Sequence, residues 1–469
     1  MLSANHYLRR SLLAASLGFG VVVSSHAQDP AGEAIAPGKL VARVAAARGA
    51  NQTYALYLPS TYDARRAWPI IYAFDPAGRG QLPVEMLREA AEKYGYIVVG
   101  SHNSRNGPAN FSLEAMQAMW GDTHQRFQID DRRVYLTGFS GGARVSTMIA
   151  KSCGCAAGVI AHGAGYMEGL PPDATLRYSY FAAIGMLDYN YPELVNVAAQ
   201  LDELKIPHRL RRFDGAHQWA PAEVWMEAVE WMELRAMQEK RRAPDAQFMA
   251  AYAQRIGDRA AALAANEPHA AYDEYRQAAA DFAGLPEAAL FAAKARELEN
   301  SDALAEARKR EQRDIRRQAS LIENLYADLE QLRTQPAERN SAASRLRVLL
   351  RELFDEAERK KNSPDGVVAS RAFSQVNAGI VSLAEAEVFR KGQETAILCY
   401  EILTEVHGKQ AWPYYQIARI AAELGQKKRA LKAFERALGN GLPPNAVQRF
   451  ERDFPALAAD KDFQKLRKS

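Results

Sequence analysis

One pentapeptide constrains this chain more than any other stretch: Gly138-Phe139-Ser140-Gly141-Gly142, a match to G-x-S-x-G. Before it runs Arg133-Val134-Tyr135-Leu136-Thr137, a short β-branched, apolar stretch that reads as a buried strand. After it, Ala143 to Lys151 can continue as a helix. Strand, sharp turn and helix together are the setting in which this motif exposes a serine at the tip of a strained turn. Glycines flank the serine because neighbouring elements approach too closely for a Cβ. Outside that setting the same five residues would be an ordinary glycine turn.

A serine hydroxyl is a weak nucleophile unless a histidine takes its proton and an acid orients the histidine. Both partners follow in the chain, each just past an expected strand. Tyr180-Phe181-Ala182-Ala183-Ile184 reads as a buried strand and leads into Gly185-Met186-Leu187-Asp188. His208 to Phe213 alternates as a strand and leads into Asp214-Gly215-Ala216-His217. Open α/β sheets place their sites beyond the carboxyl ends of strands, so Asp188 is the expected acid and His217 the expected base. Asp214, on the same turn as His217, and Glu193 are the competing acids.

The oxyanion of an acyl-transfer intermediate needs two N–H donors. One is expected from Gly141, next after the serine. The second should come from the loop after the third strand, here Trp68 to Phe74 followed by Asp75-Pro76-Ala77-Gly78. Proline has no N–H, which leaves Ala77 as the expected donor. The segment after Tyr96 to Gly100 should line the cleft, and Asn103, Trp120 and, from another strand end, His162 are the expected substrate-binding residues.

From about residue 38 to 238 the sequence resembles the α/β-hydrolase superfamily. It is most similar to secreted serine esterases of the polyhydroxybutyrate-depolymerase, feruloyl-esterase and dienelactone-hydrolase type. The resemblance rests on Tyr54 to Tyr62, on Ile129 to Gly142, and on the Asp188 and His217 segments. It implies a mostly parallel sheet flanked by helices, Ser140 as nucleophile, His217 as general base, Asp188 as orienting acid, and an acyl-enzyme. There is one departure: Asp75-Pro76 stands where such proteins usually read His-Gly.

The first 27 residues read as a secretory signal peptide, with Arg9-Arg10, an apolar centre from Leu12 to Val23, and a cleavage site at Ala27. The apolar centre is too short to span a bilayer, which takes about 20 residues. A periplasmic or secreted protein with no membrane span is expected. Three cysteines exclude a disulfide scaffold. Cys153 and Cys155 are separated by one residue, so a bridge would close a small ring, and either that bridge or two reduced thiols fits an exported chain. No zinc spacing, phosphate loop or dinucleotide fingerprint is present, so no cofactor or metal is expected. A net charge of +4 over 469 residues gives no reason to expect nucleic acid.

Past Arg241-Arg242-Ala243-Pro244 strand signals stop, and alanine, glutamate, leucine and arginine dominate. The expected order is a hydrolase-like domain at 28–240, a helical hairpin region at 245–376, and helical repeats with a cap at 377–469. Ala384, Ala396, Tyr400 and Leu403 recur 34 residues later as Ala418, Ala430, Phe434 and Ala437, the tetratricopeptide period. Ile315, Ala319, Ile322, Tyr326 and Leu329 read as one apolar face of a long helix. Solenoids bind peptides or partners, so a protein partner is expected here.

These features point to an exported serine hydrolase acting on small or polymer-derived carboxylic esters. The competing readings are a protein-binding scaffold with a weakly active or inactive hydrolase-like domain, and a peptidase or thioesterase using the same three residues.

Overall fold

In the computed structural model, residues 35–47, 49 and 51–467 are described. The expected signal peptide lies outside them. The chain divides into two compact units, 1–311 and 312–469.

The first unit is built on one eight-stranded sheet. Its strands are β1 (Leu40–Ala45), β2 (Thr53–Tyr57), β3 (Trp68–Phe74), β4 (Ile97–Ser101), β5 (Ile129–Phe139), β6 (Gly158–His162), β7 (Ser179–Gly185) and β8 (His208–Phe213). They lie in the order β1-β2-β4-β3-β5-β6-β7-β8. β1 and β2 run antiparallel, and β3 to β8 are parallel. β2, β3, β4, β6 and β7 are buried along their whole length. That is why they read in the sequence as apolar runs: helices cover both faces of a parallel sheet.

Period-2 alternation sorts the side chains to two cores. Ile70, Tyr72, Phe74, Leu136, Val159, Ala161 and Ala182 face helices α2 (Ala109–Arg126), α3 (Gly141–Cys153) and α4 (Tyr191–Glu203). Ile71, Tyr135, Ile160, Phe181 and Ala183 face α1 (Gln81–Tyr94) and α5 (Ala222–Gln238). This is the fold class expected from the sequence, followed by an all-helical region.

The same second core continues into α6 (Ala246–Leu263), α7 (Pro268–Asp281) and α8 (Pro286–Glu299), through Tyr252, Ile256, Tyr272, Phe282 and Phe291. The first unit therefore runs well past the composition change at Pro244. Buried charge is the physical reason. Arg209 of β8 donates to Asp281 and Glu274 of α7, both at 2.9 Å, and Trp231 Nε1 of α5 donates to Asp281 at 2.9 Å. A buried guanidinium is tolerated only when paired in this way.

Helix α9 (Asp302–Leu321) ends in a turn before α10 (Leu325–Thr334). The single long helix expected over 315–329 is therefore interrupted. Its apolar stripe is only partly buried: Leu329 is in the core, Ile315 and Ile322 are half-buried, and Ala319 and Tyr326 are exposed. In the second unit α11 (Arg339–Arg359) buries Leu346, Leu350 and Leu353. Helices α12 (Pro364–Arg390), α13 (Gln393–His407), α14 (Ala411–Glu423) and α15 (Lys427–Gly439) follow, then α16 (Pro444–Asp453) and two short helices. All eight positions of the 34-residue spacing are buried. Among the described residues no helix is long and apolar enough to cross a membrane.

Candidate active site

Strand β5 ends at Phe139, and helix α3 starts at Gly141. Between them Ser140 sits at φ 53°, a left-handed backbone that non-glycine residues rarely adopt. Its N–H is held by the carbonyl of His162 at 2.8 Å. The flanking glycines are steric requirements. A Cβ on Gly138 would lie 2.2 Å from Gly142 backbone atoms, and one on Gly142 would lie 1.9 Å from the Phe74 carbonyl oxygen. The elbow thus packs directly onto β3.

The acid and base loops meet by the same device. A Cβ on Gly185 would fall 2.4 Å from the Gly215 carbonyl oxygen. Leu187 donates its N–H to Gly215 at 2.8 Å, and Met186 donates to Phe213 at 2.9 Å. Asp188 and His217 are thereby brought face to face. His217 Nδ1 lies 2.9 Å from both carboxylate oxygens of Asp188, and its Nε2 lies 2.9 Å from Ser140 Oγ. Asp188 is fully buried. With Nδ1 donating to the carboxylate, Nε2 is left to accept the serine proton. Asp188 also accepts the Asn190 N–H at 2.8 Å, which fixes the loop. The competing acids stand elsewhere: Asp214 is exposed, and Glu193 is paired with Arg144 at 2.6 Å.

Three aromatic rings enclose this relay. Phe139 lies 4.6 Å and Tyr189 4.3 Å from the His217 ring, and Phe139 also packs on Trp219 at 5.4 Å. Burial pushes the Tyr189 hydroxyl up to about 12. Sequence reasoning missed Tyr189, although its place directly after Asp188 was the available signal.

Gly141 is the first residue of α3, so its N–H is among the helix-start donors that have no intrahelical acceptor. That fits the expected oxyanion donor. The Asn106 side chain stands over it: a Cβ on Gly141 would lie 1.9 Å from Asn106 Oδ1. The loop after β3 departs from expectation. The Ala77 N–H, expected to be the second donor, is given to Asp75 Oδ1 at 2.9 Å. Asp75 is a buried hub that also accepts from Arg79 Nε at 2.9 Å and from Trp219 Nε1 at 3.1 Å. Burial pushes the Asp75 carboxyl up, but hydrogen bonds from Arg79, Ala77 and Trp219 outweigh it and hold the group below its usual range.

The three expected substrate-binding residues all have structural work. Asn103 accepts from the Thr53 N–H at 2.8 Å and donates to the Asn51 carbonyl at 2.9 Å, tying its loop to the start of β2. Trp120 stacks between Tyr72 at 5.9 Å and His124 at 4.1 Å, at the edge of the core. His162 is wholly buried between Trp225 at 4.1 Å and Trp219 at 5.2 Å. Its ring nitrogens have no hydrogen-bond partner among the described residues, and burial lowers its pKa to about 3. A strand-end histidine in an apolar run is here part of the core.

Cys153 and Cys155 are joined as a disulfide at the end of α3, with Cα atoms 5.1 Å apart. Cys399 is free and buried. Among the described residues no group of three or more His, Cys, Asp or Glu is placed to hold a metal ion.

No protein-family model and no curated protein matches the chain. Solved structures similar to part of it include the S-formylglutathione hydrolase of Staphylococcus aureus, 13% identical, TM-score 0.32, over 39% of this chain and 90% of that one. The feruloyl esterase module of Clostridium thermocellum, complexed with sinapinate, is 18% identical, TM-score 0.34, over 45% and 92%. Thermogutta terrifontis esterase 2, phosphonylated by sarin, is 12% identical, TM-score 0.33, over 42% and 92%.

Proposed function

We propose that the first unit is an exported serine hydrolase that cleaves carboxylic esters through an acyl-enzyme. The observation that carries this reading is the unbroken relay from Ser140 Oγ through His217 to Asp188, each step at 2.9 Å, on a strained elbow. Ser140 Oγ attacks the acyl carbon while His217 Nε2 takes its proton. Asp188 orients the imidazole and stabilises its charged form. The tetrahedral intermediate collapses as His217 returns the proton to the departing alcohol. A water then repeats the sequence on the acyl-enzyme. Gly141 supplies one amide to the oxyanion.

The test is a fluorophosphonate probe on the mature chain. Covalent labelling that vanishes in Ser140→Ala and His217→Ala is the expected result. Folded protein that takes no label would leave the scaffold reading standing. Esters and anilides of one acyl group, assayed side by side, separate esterase from peptidase; faster turnover of the ester is expected. Export is tested by the amino-terminal sequence of protein recovered from the periplasm or medium, expected to begin at Gln28.

A further inference from the structure

Helix α3 begins at Gly141, beside the nucleophile, and ends at Cys153. There Cys153 is bonded to Cys155 across Gly154. At the rise of an α-helix the pair stands about 20 Å along the axis from Ser140, so it takes no part in the relay.

As a brace this disulfide has little to hold. Crosslinks stabilise mainly by restricting the unfolded chain, and the effect grows with the loop they close. This loop contains a single intervening residue. The turn is also held without the bond. Gly154 takes the left-handed φ of 63° that ends a helix, and it donates its N–H to the Ala150 carbonyl at 3.2 Å. The Ala157 N–H, given to the Val134 carbonyl at 2.7 Å, fixes the exit toward β6.

The surroundings of the sulfurs suit the reduced pair. The Cys155 N–H donates to Cys153 Sγ at 3.0 Å, a bond that strengthens when that sulfur becomes a thiolate. The Ala150 carbonyl oxygen lies 3.9 Å from the same sulfur, placed to accept its S–H once it is protonated. Both cysteines are half-buried, and Gly154 between them is exposed. Apart from its chain neighbours, no heavy atom lies within 4 Å of the place a Cβ on Gly154 would occupy. An incoming thiol meets an open face.

We propose that Cys153-Gly154-Cys155 is a thiol–disulfide exchange site that oxidises polypeptide dithiols. A substrate thiolate attacks Cys155 Sγ. The Cys153–Cys155 bond breaks, and its electron pair leaves on Cys153 Sγ, where the Cys155 amide stabilises it. The second substrate thiolate then attacks the substrate sulfur of the mixed disulfide, and Cys155 leaves as a thiolate. A dithiol is the fitting class because its own second thiol resolves the mixed disulfide. The substrate loses two electrons and the site gains two, and the site sulfurs take up the two protons that the substrate thiols gave. None of this depends on chemistry at Ser140.

The test holds the purified chain, under nitrogen, in about 10 mM reduced and about 1 mM oxidised glutathione, the poise of an oxidising compartment. Alkylation of the folded chain and mass spectrometry count the free thiols, with buried Cys399 as the third. The pair should be reduced in more than about a tenth of the molecules, because exchange-active disulfides have potentials near this poise and structural ones lie far below it. A smaller reduced fraction would overturn the proposal. Given a synthetic peptide with two cysteines, the oxidised chain should convert about one peptide per chain to its disulfide, and Cys153→Ser/Cys155→Ser should convert none. Equal conversion by that variant also overturns it. Held reduced, the parent chain should melt within about 3 °C of its oxidised form. A larger fall marks a structural brace and sinks the exchange reading.

Discussion

Trp219 Nε1 donates to Asp75 Oδ2 at 3.1 Å, and this bond ties the loop after β3 to the turn that carries His217. Two segments 144 residues apart are thereby held together beside the nucleophile. The resemblance read from the sequence puts a histidine where Asp75 stands. A carboxylate there accepts from the Ala77 amide, the Arg79 guanidinium and the Trp219 indole together, whereas a neutral imidazole has one acceptor.

Removing that hub should cost stability as well as activity. Asp75→Ala leaves the buried Trp219 N–H without an acceptor, at about 1–3 kcal/mol. The lost Arg79 pair adds little because Arg79 is largely exposed. A total near 2–3 kcal/mol by urea unfolding is expected. Trp219→Phe, which leaves Asp75 its other donors, should cost about 1 kcal/mol.

The three glycines around Ser140 should respond unequally to alanine. At Gly138 and Gly142 the new methyl meets fixed backbone within 2.2 Å, so the elbow cannot close and soluble folded protein should be lost. At Gly141 the methyl meets only the exposed end of Asn106, which can swing away. Gly141→Ala should melt close to the parent, within about 1 kcal/mol. Circular dichroism melts of the three variants make the comparison.

His162 gives the first unit a defined acid sensitivity. Its folded pKa is depressed to about 3, below its ordinary value of 6.5, because burial disfavours the charged ring. Between those values the unfolded chain binds a proton that the folded chain does not. The stability contribution is therefore complete above the unfolded pKa and is lost on acidification, at about 1.4 kcal/mol per pH unit. In His162→Phe, which can fill the same space between Trp219 and Trp225, the fall in unfolding free energy from pH 6 to pH 4 should be shallower by about that slope. Urea titrations at several pH values would reveal parallel slopes if His162 titrates normally.

A chain cut after Pro244 should not fold as one cut after Glu311 does. The shorter chain lacks Glu274 and Asp281 and leaves Arg209 buried and unpaired, a loss of about 3–5 kcal/mol before the missing apolar contacts are counted. The longer chain should melt cooperatively, and the shorter should show no cooperative transition by calorimetry. Equal melting of both would place the end of the sheet domain near residue 244.

The sheet was readable from sequence because fully buried parallel strands such as β3, β6 and β7 are continuous apolar runs. The places of Ser140, Asp188 and His217 past the ends of β5, β7 and β8 were readable for the same reason. His162 fills the core, and an imidazole at a strand end looks alike in sequence whether it lines a cleft or packs between aromatic rings. The helix over 315–329 was misread because its 3–4 spacing continues through a turn at 322–324 that no proline or glycine marks.

Local pattern, then, was enough to determine the buried parallel strands, the elbow around Ser140, and the order of acid and base along the chain. Those depend on neighbours in the chain. Tertiary structure alone decided that Asp75 takes the Ala77 amide, that Trp219 reaches Asp75, and that Arg209 draws helix α7 into the first unit. Each of these is a polar group satisfied across a long stretch of sequence. A buried donor or charge must find a partner, but nothing local specifies which distant residue will supply it.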